Sequence, residues 1–146
     1  MSTVNALYHV VISTKNRKMT ITENHKRELY KYIYSIIEAN NCQLLRMNGI
    51  ADHIHFLIQL HPSVALSNLI RDIKRASSMW LKENPAFPKF NGWAKEYAAF
   101  TCANKDKEVI INYIKGQEEH HKGLSFLDEI KAVAIKNGCV YYDQEE

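Results

Sequence analysis

Two histidines stand one residue apart in the stretch DHIHFLIQ, and they are the residues of this sequence best suited to hold a metal ion. Residues 52–59 alternate as a β-strand does, so His53 and His55 lie on the same face. Neutral imidazole binds divalent metals well, and two imidazoles on a stiff strand form a bidentate clamp. A polar strand face without any metal fits the same pattern, so another group must converge on the histidines.

A tyrosine and a glutamine four residues apart supply such a group. In YIKGQ, Tyr113 and Gln117 share one face if the segment is helical. A tyrosine hydroxyl can attack a phosphodiester when a metal polarises the phosphate, and a glutamine carbonyl is a hard ligand suited to Mg²⁺ or Mn²⁺. Among Val109, Ile110 and Ile114, the tyrosine can equally be a core residue. The two motifs together indicate phosphodiester chemistry that neither indicates alone.

Strand and helix patterns alternate in the first half of the chain. β-branched and aromatic residues at 6–13 predict a strand, and apolar residues at helical intervals predict a helix over about 23–39. Two strand-like runs, about 42–50 and 52–60, are separated by a short turn. They predict an antiparallel hairpin whose second strand carries the histidine pair.

The second half continues this alternation. An apolar stripe over 66–81 predicts a second helix, 95–103 a fourth strand, and Asn104 the start of a third helix that carries the tyrosine. The tail at 124–138 predicts one more helix, followed by a brief strand-like run, CVYY. This order predicts an α+β fold: a ferredoxin-like or RRM-like antiparallel sheet with helices and an added C-terminal helical segment.

Length and charge limit the classes of function. The 146 residues fit a single domain, 1–146, with a core at about 4–121 and a C-terminal extension at about 122–146. With 19 basic and 16 acidic residues the net charge is only +3, so affinity for nucleic acid requires local clusters. The candidate DNA-binding residues are Lys15, Arg17, Lys18, Arg71, Lys74 and Arg75. Trp80, Phe90 and Trp93 are candidates for stacking on unpaired bases.

Cysteine usage and the N-terminus bear on the compartment. Cys42, Cys102 and Cys139 are widely spaced and form no CxxC pair, which favours reduced thiols over disulfides or a zinc knuckle. The N-terminus lacks the layout of a signal peptide, and no apolar run approaches the roughly 20 residues that span a bilayer. We therefore expect a cytoplasmic protein with no membrane partner.

The sequence resembles the IS200/IS605-type transposases, single-tyrosine members of the HUH-endonuclease superfamily. The resemblance covers most of the chain and is carried by YHVVISTKNR, ADHIHFLIQLHPS, SNLIRDIKRASSMWL and NYIKGQEEHH. It implies that His53 and His55 are metal ligands, that Tyr113 is the catalytic nucleophile, and that Gln117 is the third metal ligand. It also implies a divalent cofactor, Mg²⁺ or Mn²⁺.

The implied function is a transposase that cuts and rejoins single-stranded DNA at hairpin-bearing ends of an element. The tyrosine would form a 5′-phosphotyrosine and release a 3′-OH, which can later reverse the bond without ATP. Members of the family are similar in working as homodimers, often with the histidine pair of one subunit completed by the tyrosine helix of the other. The sequence leaves assembly in cis or in trans open.

Three alternatives remain at this point. A replication-initiator or relaxase nuclease shares the histidine pair and a tyrosine, but such proteins usually carry additional domains or histidines. A domesticated repeat-processing nuclease would cut without mobilising an element, and a non-catalytic RRM-like binder would have no need of Gln117 one turn after Tyr113. His120 and His121 are further candidates for contacting the metal or the DNA.

Overall fold

A computed structural model describes residues 1–120 and 125–142 of the chain, without the side chains of Glu119 and His120. Four strands form one antiparallel sheet in the order β2-β3-β1-β4. They are β1 (Leu7–Thr14), β2 (Gln43–Ile50), β3 (His53–Gln59) and β4 (Trp93–Cys102). This strand order is ferredoxin-like, so the predicted α+β fold class is confirmed.

Five helices accompany the sheet in the described residues. They are α1 (Lys26–Ala39), α2 (Leu66–Glu83), α3 (Lys107–Lys115), α4 (Gln117–His120) and α5 (Phe126–Lys136). Every strand and helix predicted from the sequence, except the final strand-like run, has a counterpart. The first helix is shorter than predicted, because residues Glu23–His25 form a separate 3-10 turn before α1 begins.

One face of the sheet packs on α1 and α2 and forms the main hydrophobic core. The strands contribute alternate residues to it, including Ile54, Phe56 and Ile58 of β3, all fully buried. The helices contribute buried residues at helical spacing: Leu29, Ile33 and Ile37 from α1, and Leu69, Ile70 and Ile73 from α2. The core-facing residues of β3 are all apolar, as the strand alternation predicts.

The other face is covered by α3 and α5 in two smaller clusters. Leu7, Leu57 and Ile114 pack together beneath α3. Val11, Phe100 and Ala134 pack together beneath α5. Because the two apolar clusters are separate, they leave a polar strip of strand surface between them, and the histidine pair lies there.

The β2–β3 hairpin turns through only two residues, Ala51 and Asp52. Gly49 pairs with Ile54 across the hairpin. A Cβ atom at position 49 would lie 2.2 Å from the carbonyl oxygen of His53, so the close approach of the two strands requires glycine here. The turn is also held to β1, because the Thr14 backbone N–H donates to the Asp52 carbonyl over 2.9 Å.

Two predictions about the C-terminal part are wrong. The helix predicted to continue beyond the tyrosine is interrupted at Gly116, so Gln117 begins the separate helix α4. Glycine is a poor helix former, which accounts for the break. The run CVYY, 139–142, is not a strand; Tyr141 and Tyr142 are exposed, and β propensity depends on packing against neighbouring strands.

Two further findings concern the compartment predictions. Cys42, Cys102 and Cys139 are all free, as expected from their spacing. Among the described residues, no helix is both long and apolar enough to cross a membrane.

Candidate metal and nucleophile site

His53 and His55 are fully buried on the polar strip of β3. Each imidazole is oriented by a hydrogen bond at its Nδ1 atom. His53 Nδ1 lies 2.7 Å from Oδ1 of Asp52, and His55 Nδ1 lies 2.8 Å from Nε2 of His9 on β1. Such contacts fix the ring orientation and tautomer of a metal-binding histidine. Both Nε2 atoms are thereby directed to the same side.

A carboxylate meets both Nε2 atoms. Glu129 of α5 is 2% exposed, and its Oε1 lies 3.2 Å from His55 Nε2 while its Oε2 lies 3.5 Å from His53 Nε2. One ligand atom from each of the three residues can be chosen so that all lie within 4.8 Å of one another. Neighbouring ligands around a divalent ion with bonds of about 2.1 Å are separated by roughly 3 Å or slightly more. The two nitrogens and the carboxylate therefore fit a divalent ion.

Tyr113 reaches this cluster from α3. Its hydroxyl donates a hydrogen bond to Oε1 of Glu129. The tyrosine ring meets the edges of two imidazoles, with centroid distances of 5.6 Å to His55 and 5.9 Å to His9. Burial and the neighbouring Glu129 carboxylate raise the pKa of Tyr113 above its ordinary value. The hydroxyl is therefore held in its protonated form next to the carboxylate.

Gln117 also reaches the cluster, despite the helix break before it. Its side chain is fully buried, and its amide Nε2 donates to Oε1 of Glu129 over 3.2 Å. A carboxylate oxygen only accepts hydrogen bonds, so the amide group, not the carbonyl, faces Glu129. The structure thus brings together the four residues predicted from the sequence, around a carboxylate that was not predicted.

The buried groups of the cluster shift one another's pKa values. Burial works to raise the pKa of Glu129, but the hydrogen bonds with His53 and His55 outweigh it and hold the pKa far below its usual range. Burial works to lower the pKa of His53, but Asp52 and Glu129 outweigh it and raise the pKa. Burial, together with the neighbouring His55, lowers the pKa of His9 to about 3, so His9 is neutral.

The segment around the helix break is tied to the hairpin. Lys26, at the start of α1, donates to Oε1 of Glu118 over 2.7 Å and to the Gly49 carbonyl over 3.2 Å. Asn48 of β2 donates to the Lys115 carbonyl over 3.0 Å. These contacts fix α4 beside β2, and so hold Gln117 close to the histidine strand.

The candidate DNA-binding residues differ from one another in their surroundings. Lys15, Arg17, Lys18, Arg71 and Arg75 are exposed. Lys74 instead donates to three backbone carbonyls of β4, those of Ala94, Lys95 and Glu96. Burial lowers the pKa of Lys74 to about 8. Lys74 therefore joins α2 to the edge strand, a role that the sequence did not suggest.

The aromatic candidates are packed within the protein. Phe90 is buried in the main core, and the Trp93 indole donates to the Ser77 hydroxyl over 2.9 Å. Trp80 is half-buried and stacks on Tyr32, with ring centroids 5.0 Å apart. The side chain of His120 and the whole of His121 lie outside the described residues, so the expectation for this pair stays a prediction.

Two residues of the cluster were missed from the sequence. Asp52 precedes the pair directly, and an acid beside a candidate ligand was a usable signal. Glu129 lies between Phe126 and Val133 on the side of α5 that packs on the sheet. The sequence feature that points to Glu129 is a single acidic residue on an otherwise apolar stripe of the helix.

Taken together, the fold and site define a small ferredoxin-like protein with a buried histidine–carboxylate cluster next to a tyrosine hydroxyl. The model of the family described as "Transposase IS200 like" matches residues 2–117. The chain therefore belongs to the IS200-like transposase family, which confirms the resemblance seen in the sequence. The match ends at Gln117 and does not include α5.

Individual relatives agree with this assignment. The transposase for insertion sequence element IS200 of Salmonella typhimurium is 29% identical over 123 residues, covering 81% of this chain and 80% of the relative. The ISDra2 transposase TnpA of Deinococcus radiodurans is 23% identical over 119 residues, covering 77% and 84%.

Solved structures show the same fold. A putative transposase from Deinococcus radiodurans superposes with a TM-score of 0.60 at 22% identity, covering 80% of this chain and 93% of that one. A REP-associated tyrosine transposase bound to a REP hairpin superposes with a TM-score of 0.65 at 15% identity, covering 84% and 72%.

Proposed function

We propose that this IS200-like transposase is a metal-dependent enzyme that cuts and rejoins single-stranded DNA through Tyr113. The observation that carries the proposal is the position of the Tyr113 hydroxyl, which contacts the carboxylate of a cluster fit for a divalent ion. A tyrosine hydroxyl in a core also takes a hydrogen-bond partner, so the support comes from which partner this is: Glu129 contacts both His53 and His55.

In the proposed reaction, the Tyr113 oxygen attacks the phosphorus of a phosphodiester. A bond forms between the tyrosine oxygen and phosphorus, the bond to the 3′ oxygen breaks, and the products are a 5′-phosphotyrosine and a 3′-OH. Glu129 orients the tyrosine hydroxyl through the hydrogen bond already in place. The tyrosine proton leaves to solvent, and the leaving 3′ oxygen gains a proton from solvent. Attack by a 3′-OH on the phosphotyrosine reverses these steps and rejoins the strand.

His53 and His55 would hold the cofactor, Mg²⁺ or Mn²⁺, through their Nε2 atoms. Asp52 and His9 keep both rings in the orientation that this binding needs. When bound, the ion would polarise the phosphate and stabilise the charge that develops on it.

We further propose that the site is completed within one chain. Tyr113 and Gln117 both contact Glu129, which contacts both histidines of the same chain. The contacts of Lys26 and Asn48 hold the α3–α4 segment against the hairpin of its own chain. A homodimer, which the resemblance implies, would then contain two complete sites.

For the substrate, we propose single-stranded DNA that carries a hairpin. Support comes from the solved relative bound to a REP hairpin and from the exposed basic residues of the β1 turn and of α2. Exposed lysine and arginine side chains contact phosphates without reading sequence.

A covalent-adduct assay tests the nucleophile. The protein is incubated with Mg²⁺ or Mn²⁺ and single-stranded oligonucleotides drawn from the DNA flanking its gene, and a protein–DNA band is sought on denaturing gels. We expect the band with wild type and no band with Tyr113→Phe, because the variant lacks the attacking oxygen. Tyr34→Phe is the matched control, since Tyr34 is an exposed tyrosine that also donates to a glutamate, Glu38. A band of normal intensity with Tyr113→Phe would refute the assignment.

A mixing experiment tests assembly in cis. His53→Ala and Tyr113→Phe are each inactive by expectation, and the two are co-expressed and assayed together. A site shared between subunits would regain activity in the mixed dimer, because one shared site would have both the histidine pair and the tyrosine. We expect no recovery. Recovery to a substantial fraction of wild-type adduct would contradict assembly within one chain while leaving the chemistry intact.

A further inference from the structure

The C-terminal helix α5 brings one charged residue into the site, and that residue lies outside the part of the chain matched by the family model. The match covers residues 2–117, whereas Glu129 is twelve residues further on. Glu129 is nevertheless the residue that contacts all four other groups: the two histidines, Tyr113 and Gln117.

The position of α5 is fixed by packing independent of the carboxylate. Ser125 caps the helix by accepting a hydrogen bond from the Asp128 backbone N–H. Phe126 lies against the His53 ring at a centroid distance of 4.5 Å, and Ala134 is buried with Val11 and Phe100 of the sheet. The helix is therefore seated so that Glu129 enters the polar strip between the two apolar clusters.

The chemistry of the groups separates the roles of Glu129 and Gln117. The carboxylate presents one oxygen to each histidine Nε2, at 3.2 and 3.5 Å, the spacing of neighbouring ligands. Gln117 turns its amide N–H towards that carboxylate, and an N–H group cannot bind a cation. An anionic oxygen is also the stronger ligand for a hard divalent ion than a neutral amide carbonyl.

We propose that Glu129 is the third metal ligand of this transposase and that Gln117 is a positioning residue that holds the Glu129 carboxylate by hydrogen bonding. The C-terminal helix is then a required part of the metal site. This inference rests on the proposed function, because it assigns the ligands of the same divalent ion. It replaces the expectation that Gln117 itself binds the metal.

Binding of Mn²⁺ to the full chain, measured by electron paramagnetic resonance of free and bound Mn²⁺ in the absence of DNA, tests the proposal without relying on cleavage. We expect Glu129→Gln to weaken Mn²⁺ binding at least as much as the roughly 10- to 100-fold that loss of a residue supporting a ligand costs. Gln117→Ala should weaken it less, because the carboxylate remains. Asp128→Asn is the matched control: it removes one charge from the same helix at an exposed position and should bind as wild type does.

The outcomes distinguish this proposal from the proposed function. Unchanged Mn²⁺ affinity in Glu129→Gln, with normal binding by wild type, refutes Glu129 as a ligand and leaves the nuclease proposal intact. A larger loss in Gln117→Ala than in Glu129→Gln restores Gln117 as the ligand and also refutes it. Absence of Mn²⁺ binding by wild type overturns the metal dependence itself. Thermal unfolding in EDTA shows whether a variant has a folding defect. If Glu129→Gln has one, Glu129→Asp, which keeps the charge, should still bind Mn²⁺ more tightly than Glu129→Gln.

Discussion

The two faces of strand β3 differ in what covers them and in what their residues do. On one face, Ile54, Phe56 and Ile58 are enclosed by α1 and α2 in the main hydrophobic core. On the other face, His53 and His55 are just as buried, yet their neighbours are a carboxylate, a tyrosine hydroxyl and a third histidine. Burial alone therefore does not separate structural residues from candidate functional ones on this strand.

The difference lies in how each face is covered. The long helices α1 and α2 cover the core face mainly with aliphatic side chains. The shorter helices α3 and α5 cover the site face from two ends and leave a polar strip between them. The core face should therefore determine stability, and the site face should determine activity.

The largest expected effect on stability is on the core face. Phe56→Ala should lower the free energy of unfolding by about 3–5 kcal/mol, because it removes a fully buried aromatic ring from a packed core. His55→Ala, one residue away, should cost less, about 1–3 kcal/mol, because it leaves polar neighbours unpaired in a less continuous layer. Urea denaturation in EDTA gives both values.

Formation of the covalent adduct should be affected more by His55→Ala than by Phe56→Ala, the reverse of the order for stability. His55→Ala should form no covalent adduct under conditions in which the variant is folded. Phe56→Ala should form the adduct in proportion to its folded fraction. Equal losses of stability, or an active His55→Ala protein, would show that the two faces are not divided in this way.

Gly49 offers a way to disturb both faces with one methyl group. In Gly49→Ala, the new Cβ would meet the His53 carbonyl and the Ile54 backbone, so the hairpin must shift. We expect a loss of about 1–3 kcal/mol in unfolding free energy, as for overpacking elsewhere, together with weaker Mn²⁺ binding. Unfolding in urea and Mn²⁺ titration measure the two effects. Loss of stability with unchanged Mn²⁺ affinity would show that the shift of the hairpin does not disturb the metal site.

The smallest expected effect concerns Lys74, which lies on the core side and was predicted to bind DNA. Because its pKa falls from 10.5 unfolded to about 8 folded, the unfolded chain binds more protons between these values. The cost of burying the charge is thus fully present below pH 8 and is relieved as pH rises towards 10.5. The unfolding free energy of wild type relative to Lys74→Met should therefore increase over this interval.

DNA binding gives Lys74 a matched comparison. Lys74→Met should weaken binding of single-stranded oligonucleotide less than Arg75→Met, because Arg75 is exposed while Lys74 is held by backbone carbonyls. Fluorescence anisotropy at fixed salt measures both. An equal or larger loss of DNA affinity for Lys74→Met would show that Lys74 contacts the DNA.

Much of this division can be read from the sequence. The alternation in DHIHFLIQ predicts which residues of β3 share the histidine face, and the structure has that arrangement because strand geometry is local. The order of strands and helices predicts the ferredoxin-like sheet, because short connections leave few ways to arrange these elements. The same residues carry the resemblance to the IS200-like family, which the family match confirms.

The remaining features depend on contacts between distant segments. Nothing local to Glu129 shows that α5 docks on the histidine face rather than elsewhere on the sheet. Gly116 interrupts the tyrosine helix. Gln117 still reaches the cluster, because Lys26 of α1 and Asn48 of β2 hold the residues around the break in place. The role of Lys74 likewise depends on β4 carbonyls that lie twenty or more residues along the chain.

The sequence by itself determined the strand face that carries the histidines, the helix that carries the tyrosine, and the family to which the chain belongs, since each follows from local periodicity or from a motif. Only the tertiary structure shows that these groups lie close together and that the carboxylate between them comes from the C-terminal helix. The physical reason is that a carboxylate can be buried between two histidines only where packing of α3 and α5 on the sheet leaves a polar gap.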